Sequence, residues 1–124
     1  MKDYSFLIVI PHTLRPVLSA AVADSVHTTR TAFLRSRFSE LLESDDEWPD
    51  DVTPKMWANG LFPRPFLFKP GDKLGDALVE RHDRDRVPIS RILRRMLFAA
   101  IGDSPEKGLG WMTLSEKRAA GLAK

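Results

Sequence analysis

Twice in this chain a short apolar run is cut off by a proline and followed by two stretches of helical periodicity, and this recurrence limits the folds open to it. The first run, Ser5-Phe6-Leu7-Ile8-Val9-Ile10, is rich in β-branched and aromatic residues and stops at Pro11. That pattern predicts a strand. His12 or Thr13 can then cap a helix whose first turn holds Pro16, where a missing N–H costs little. Leu14, Val17, Leu18, Ala21 and Val22 give it one apolar stripe. The run Ser25 to Thr29 breaks this helix and offers hydroxyl caps for the next. That next helix carries Phe33, Leu34, Phe38, Leu41 and Leu42 on one stripe and ends near Glu43.

The pattern then returns. Pro65-Phe66-Leu67-Phe68-Lys69 is a second short strand, stopped by Pro70. Asp72 is placed to cap a helix with Leu74, Ala77 and Leu78, and Arg84-Asp85-Arg86-Val87-Pro88 breaks it. A last stripe of Ile92, Leu93, Met96, Leu97, Ala100 and Ile101 ends at Gly102. A displacement of 59 positions carries Pro11 onto Pro70, Phe33 onto Ile92, Leu34 onto Leu93 and Phe38 onto Leu97, while the first helices prefer 60. Two generic amphipathic helices can match by chance. The ordered series of strand, stop, helix, break and helix favours an internal repeat.

One strand-helix-helix unit cannot bury its own apolar faces. Two units can, by pairing their strands antiparallel and closing one core. The expected fold is therefore α+β, mostly helical, with two strand-helix-helix repeats related by a pseudo-two-fold axis. Residues 1–43 form the first repeat, 44–63 an acidic connector, 64–104 the second repeat and 105–124 a tail. In the connector, Thr53-Pro54 reads as a cap and first turn, Asn59-Gly60 as a stop, and Met56 and Trp57 as core anchors. In the tail, Thr113-Leu114-Ser115-Glu116 is a capping box, docked by Trp111 and Leu114 or else frayed.

Charge is distributed unevenly. The net charge is +2, yet six of the 17 acids lie between Glu43 and Asp51, leaving 11 acids against 19 bases elsewhere, or +8. A basic body with an acidic segment hints at a polyanionic partner, although a solvated acidic loop would look the same. Cysteine is absent, which excludes disulfides and zinc-thiolate sites and fits a reducing, cytoplasmic setting. No run approaches the ~18 apolar residues of a membrane span.

The stretch Arg86-Val87-Pro88-Ile89-Ser90-Arg91-Ile92-Leu93-Arg94-Arg95-Met96-Leu97 resembles the start of the second helix in the ribbon-helix-helix family. Two copies in one chain look like the tandem members among relaxosome accessory proteins of conjugative plasmids, and like phage and plasmid repressors. The resemblance implies a non-enzymatic protein that binds double-stranded DNA, in transcription regulation or as an accessory factor of a mobile element. It implies a ribbon lying in the major groove, and a phosphate held at the N-terminus of each second helix. Carried over, the phosphate clamps are Thr29 and Thr31 in the first copy, with Arg30 between them as a further DNA-binding residue, and Ser90 in the second, with Arg91 beside it. Lys69, Arg81, Arg84, Arg86, Arg94 and Arg95 add charge nearby, unless these arginines merely form a solvated helix face with Asp83 and Asp85 as local partners. Changing Arg94 and Arg95 together to Glu is expected to abolish binding and leave unfolding largely unchanged.

The ribbon departs from the family. With Phe6, Ile8 and Ile10 inward, Ser5, Leu7 and Val9 face out; with Phe66 and Phe68 inward, Pro65, Leu67 and Lys69 face out. Base reading needs donors and acceptors, and only Ser5 and Lys69 supply them. An apolar outer face built on Leu7, Val9 and Leu67 fits instead a protein contact, with the acidic connector able to imitate a nucleic-acid backbone: an inhibitor of a host enzyme, or a subunit of an assembly or homo-oligomer. No cofactor is indicated. His12, His27 and His82 lack ligand spacing, and Gly108-Leu109-Gly110 lacks the rest of a phosphate loop.

Overall fold

The structure, a computed structural model, describes residues 3–44, 48–58, 64–101 and 112–121. The two apolar runs meet. Strand β1 (Phe6–Ile10) pairs antiparallel with β2 (Arg64–Phe68), with Phe6 opposite Phe68, Leu7 opposite Leu67, Ile8 opposite Phe66, Val9 opposite Pro65 and Ile10 opposite Arg64. Residues directly opposite share a face of the sheet. Ile8, Ile10 and Phe68 are therefore buried on the inner face, with Phe6 and Phe66 partly buried against the same core. Leu7 and Leu67 sit on the outer face, 58% and 51% exposed.

Helices close the inner side. α1 (Leu14–Ala23) buries Leu14 and Leu18. α2 (Arg30–Glu43) starts at Thr29, whose hydroxyl accepts the Ala32 N–H at 3.1 Å. Such a cap contributes about 1 kcal/mol. α2 buries Phe33, Leu34, Phe38 and Leu41. α3 (Thr53–Ala58) follows in the connector. α4 (Asp72–Asp85) buries Leu74 and Leu78, and α5 (Ile89–Ile101) buries Ile92, Leu93, Met96, Leu97 and Phe98. α2 packs on α5, and α5 packs under β1. The Phe38 ring meets the Phe68 ring edge-on at 5.3 Å, tying α2 to the second strand. Each fully buried side chain of this size contributes roughly 1.5–3 kcal/mol. The fold is thus α+β and mostly helical, with a two-stranded antiparallel sheet.

Several local expectations change. A displacement of 59 would lay inward Ile8 on outward Leu67. The strand faces match at 60, which sets Phe6 on Phe66, Ile8 on Phe68 and Leu7 on Leu67, as the first helices do. Val9 does not face solvent; it is 9% exposed. Asp72 is the first residue of α4 rather than its cap, and Gly71 takes the cap position at φ 85, a conformation that favours glycine. Helix α4 runs through Arg84 and Asp85. The chain turns at Arg86 (φ 55), whose N–H bonds to the His82 carbonyl at 2.8 Å. Thr53 does not cap α3: the Asp51 carboxylate accepts its N–H at 3.1 Å, and its own hydroxyl is buried without a hydrogen-bond partner.

The connector and tail belong to the core. Trp48, Val52 and Met56 are buried, whereas Trp57, expected as a core anchor, is 47% exposed. α6 (Leu114–Ala119) opens with the expected capping box. It docks through Met112, Glu116 and Ala120, while Leu114 is 57% exposed. Glu116 also accepts the hydroxyl of Thr13, which is drawn away from capping α1 and instead joins the start of α1 to α6. Trp111 and Asn59-Gly60 lie outside the described residues.

Candidate nucleic-acid interface

The outer ribbon face and the starts of α2 and α5 hold most of the residues singled out from sequence. On the ribbon, Ser5, Leu7, Pro65, Leu67 and Lys69 are exposed. Arg64, exposed at the start of β2, was not among the candidates because the strand was read from Pro65; opposite Ile10, it shares the register of the inner face. Neither strand contains an acid; exposed Asp3 precedes β1 and exposed Lys69 follows β2. Lys69 is held in place by its carbonyl, which accepts from Arg35 Nε at 2.7 Å.

The start of α2 is brought against the ribbon. The Arg30 guanidinium lies 4.7 Å from the centre of the Phe66 ring on β2. A cation over an aromatic face gains about 0.5–1 kcal/mol at an exposed site. That contact keeps Arg30, capping Thr29 and half-buried Thr31 beside the strand pair. Thr29 already uses its hydroxyl oxygen as an acceptor from Ala32, so its O–H is what remains to donate.

At the start of α5 the Pro88 carbonyl accepts from both Arg91 and Ile92, at 3.0 and 3.1 Å. Ser90 is half-buried in the first turn, and Arg86 and Arg91 are exposed. His82 Nδ1 sits 2.6 Å from the Val87 carbonyl and braces the turn between α4 and α5.

Arg94 and Arg95 are turned to the connector. Arg94 bonds Asp51 through Nη2 at 2.7 Å and Nε at 2.8 Å, with the two side chains 11% and 1% exposed. Arg95 donates to the carbonyls of Pro49 and Trp48. Trp48 has Arg95 at 5.9 Å and Arg81 at 5.0 Å from its ring. Reversing both charges would therefore strand buried Asp51, so the expectation that the Arg94/Arg95 double variant unfolds normally is corrected. Arg81 and Arg84 both bond Asp85, and their guanidinia, Arg81 first, hold its carboxyl below the ordinary aspartate range.

A cavity of about 410 Å³ lies between α2 and the start of α4, with Leu42, Leu74 and Ala77 among its walls and Arg35 and Lys73 beside them. Among the described residues no group of His, Asp and Glu is arranged to hold a metal ion, and no helix is long and apolar enough to cross a membrane. Compared with family models, with curated proteins and with solved structures, the chain shows no significant match.

Proposed function

We propose that the chain is a non-enzymatic protein that grips double-stranded DNA in the manner of a tandem, single-chain ribbon-helix-helix domain. It would serve in the cytoplasm as a repressor or accessory factor of a phage, plasmid or other mobile element. One observation carries the reading: the two sequence-distant apolar strands pair antiparallel over packed α2 and α5, and Arg30 holds the start of α2 against that ribbon. The match of strand faces and first helices at a displacement of 60 supports the repeat that this arrangement requires. Lys69, Arg64, Arg30, Arg86 and Arg91 then supply phosphate contacts, with the N-termini of α2 and α5 as clamps. Arg94 and Arg95 take no part, because they hold the connector.

The test is fluorescence anisotropy on a short mixed-sequence duplex across a salt series. Affinity should fall linearly on a logarithmic salt scale, by about 0.9 in slope for each phosphate engaged. Lys69→Glu with Arg91→Glu, both at exposed positions, should weaken binding more than tenfold at low salt and leave the unfolding midpoint near that of the unaltered chain. Absence of binding to any duplex at low salt rejects the proposal.

Exposure of Leu7 and Leu67 favours a second reading, in which the ribbon face grips a protein, as an inhibitor or assembly subunit would. Val9 drops out of that surface because it is buried. Leu7→Asp should then remove a specific partner in a pull-down; an unchanged partner set dismisses it.

A further inference from the structure

A groove lies between α2 and α4, both of which pack on α5. Its wider part is the cavity of about 410 Å³, with Leu42, Pro70, Leu74 and Ala77 as its apolar walls. That size falls within the roughly 300–1,000 Å³ of sites for small organic ligands. Leu42 and Ala77 also line a narrower hollow of about 150 Å³, which carries the groove on to Glu80, Arg81 and Arg84. The middle is therefore apolar, and cations stand at both ends: Arg35 and Lys73 where α4 begins, Arg81 and Arg84 where it finishes.

The two ends differ in what their cations already hold. Arg81 and Arg84 both bond Asp85. Arg35 gives only Nε, to the Lys69 carbonyl at 2.7 Å. That bond fixes the guanidinium and leaves its Nη1–Nη2 edge, a fork matched to a carboxylate. Among the described residues, neither Arg35 nor Lys73 forms an ion pair. Two acids share the wall. Asp72 is in the first turn of α4, where the helix dipole offsets its charge. Glu43 is about 12 Å beyond Arg35 along α2. A headgroup beside Arg35 and Lys73 thus meets net positive charge, and the rest of the ligand meets hydrocarbon. We propose that this groove binds a small amphipathic carboxylate, with its carboxylate on Arg35 and Lys73 and its hydrocarbon chain over Leu42, Leu74 and Ala77. The stretch of α2 from Arg35 to Leu42 is about 10 Å long, which an unbranched eight-carbon acid spans. No residue of either strand lines the groove, so the site stands whatever the ribbon binds.

The test titrates the chain with octanoate, octan-1-ol and octylammonium and follows the backbone amide shifts by heteronuclear NMR. Octanoate should give saturable shifts centred on Ser39, Leu42, Lys73 and Leu74. Octan-1-ol should bind about tenfold more weakly, because hydrogen bonds between a cation and a carboxylate are roughly twice as strong as neutral ones. Arg35→Met with Lys73→Glu, both at exposed positions, should remove that preference and leave the far-ultraviolet circular dichroism unchanged. Should Arg35→Met disturb the fold through Lys69, Lys73→Glu alone should still weaken octanoate severalfold and spare octan-1-ol. Equal affinity for octanoate and octan-1-ol, or tighter binding of octylammonium, overturns the choice of an anion. So does a preference that persists in both variants. Octanoate shifts that do not saturate, or that centre away from the groove, overturn the site itself.

Discussion

Asp51 offers the sharpest test of how the connector is held. Its carboxylate has two tasks: one oxygen receives Arg94 at 2.7 and 2.8 Å, and the other accepts the Thr53 N–H at 3.1 Å. Asp51→Ala leaves the Arg94 guanidinium enclosed without its anion. Stranding one member of a buried pair costs about 3–5 kcal/mol. Loss of the acceptor at the start of α3 adds about 1 kcal/mol. The sum is a large share of the roughly 5–15 kcal/mol that holds a domain of this size together. Urea unfolding followed by tryptophan fluorescence should show the midpoint falling with little change in slope. Asp51→Asn keeps an acceptor for Thr53 and should be milder by about the value of the cap. Adding Arg94→Met to Asp51→Ala removes the stranded cation and should restore most of the loss, so the two changes will be far from additive. A cost below about 1 kcal/mol for Asp51→Ala would match an exposed pair and refute the reasoning. So would simple additivity in the double variant.

Gly75 lies in α4, where alanine is ordinarily better by about 1 kcal/mol, but a Cβ there would overlap the Tyr4 ring. Gly75→Ala should therefore lower the thermal midpoint in the unaltered chain, by displacing Tyr4 from its stack on Phe6 and its bond to Asp76, and raise it in a Tyr4→Ala background; the same sign in both backgrounds would contradict this. Asp85 is held in its charged form by Arg81 and then Arg84. Its folded value is lowered, so its stabilising contribution is present above the unfolded aspartate value and is lost as pH falls through the folded one. In Arg81→Gln the Asp85 titration, followed by carboxyl carbon NMR, should move upward; an unmoved midpoint would show that Arg81 is not the main cause.

The framework was legible because it rests on periodicity. The stripe from Phe33 to Leu41 and the stripe from Ile92 to Ala100 name their buried sides directly and are buried as expected, as are Ile8 and Ile10 of the first strand, although Val9 is buried with them. Pairing of the strands followed from the need of each half for cover. What failed to show was whatever depends on a particular atom meeting another from a distant element. Arg94 and Arg95 look like surface charge until Asp51 and the carbonyls of Trp48 and Pro49 come to meet them across more than 40 positions. Thr53 looks like a cap, but it is the first residue of α3: its own N–H goes to the carboxylate two residues earlier, and its hydroxyl accepts from no N–H. The displacement of 59 failed for a reason intrinsic to strands: their side chains alternate, so an odd offset exchanges inside for outside. Of the candidate site, the exposed positions Leu7, Leu67, Lys69, Arg86 and Arg91 were readable, while the seat of Arg30 over Phe66 was not.

A ribbon made by two copies of one strand reads the same from either end. The one here does not: Ile10 is opposite Arg64 at one end and Phe6 is opposite Phe68 at the other. Joining both strands in a single polypeptide gives this surface a compass direction, so a duplex bound as proposed above would have one preferred heading and need not be a palindrome.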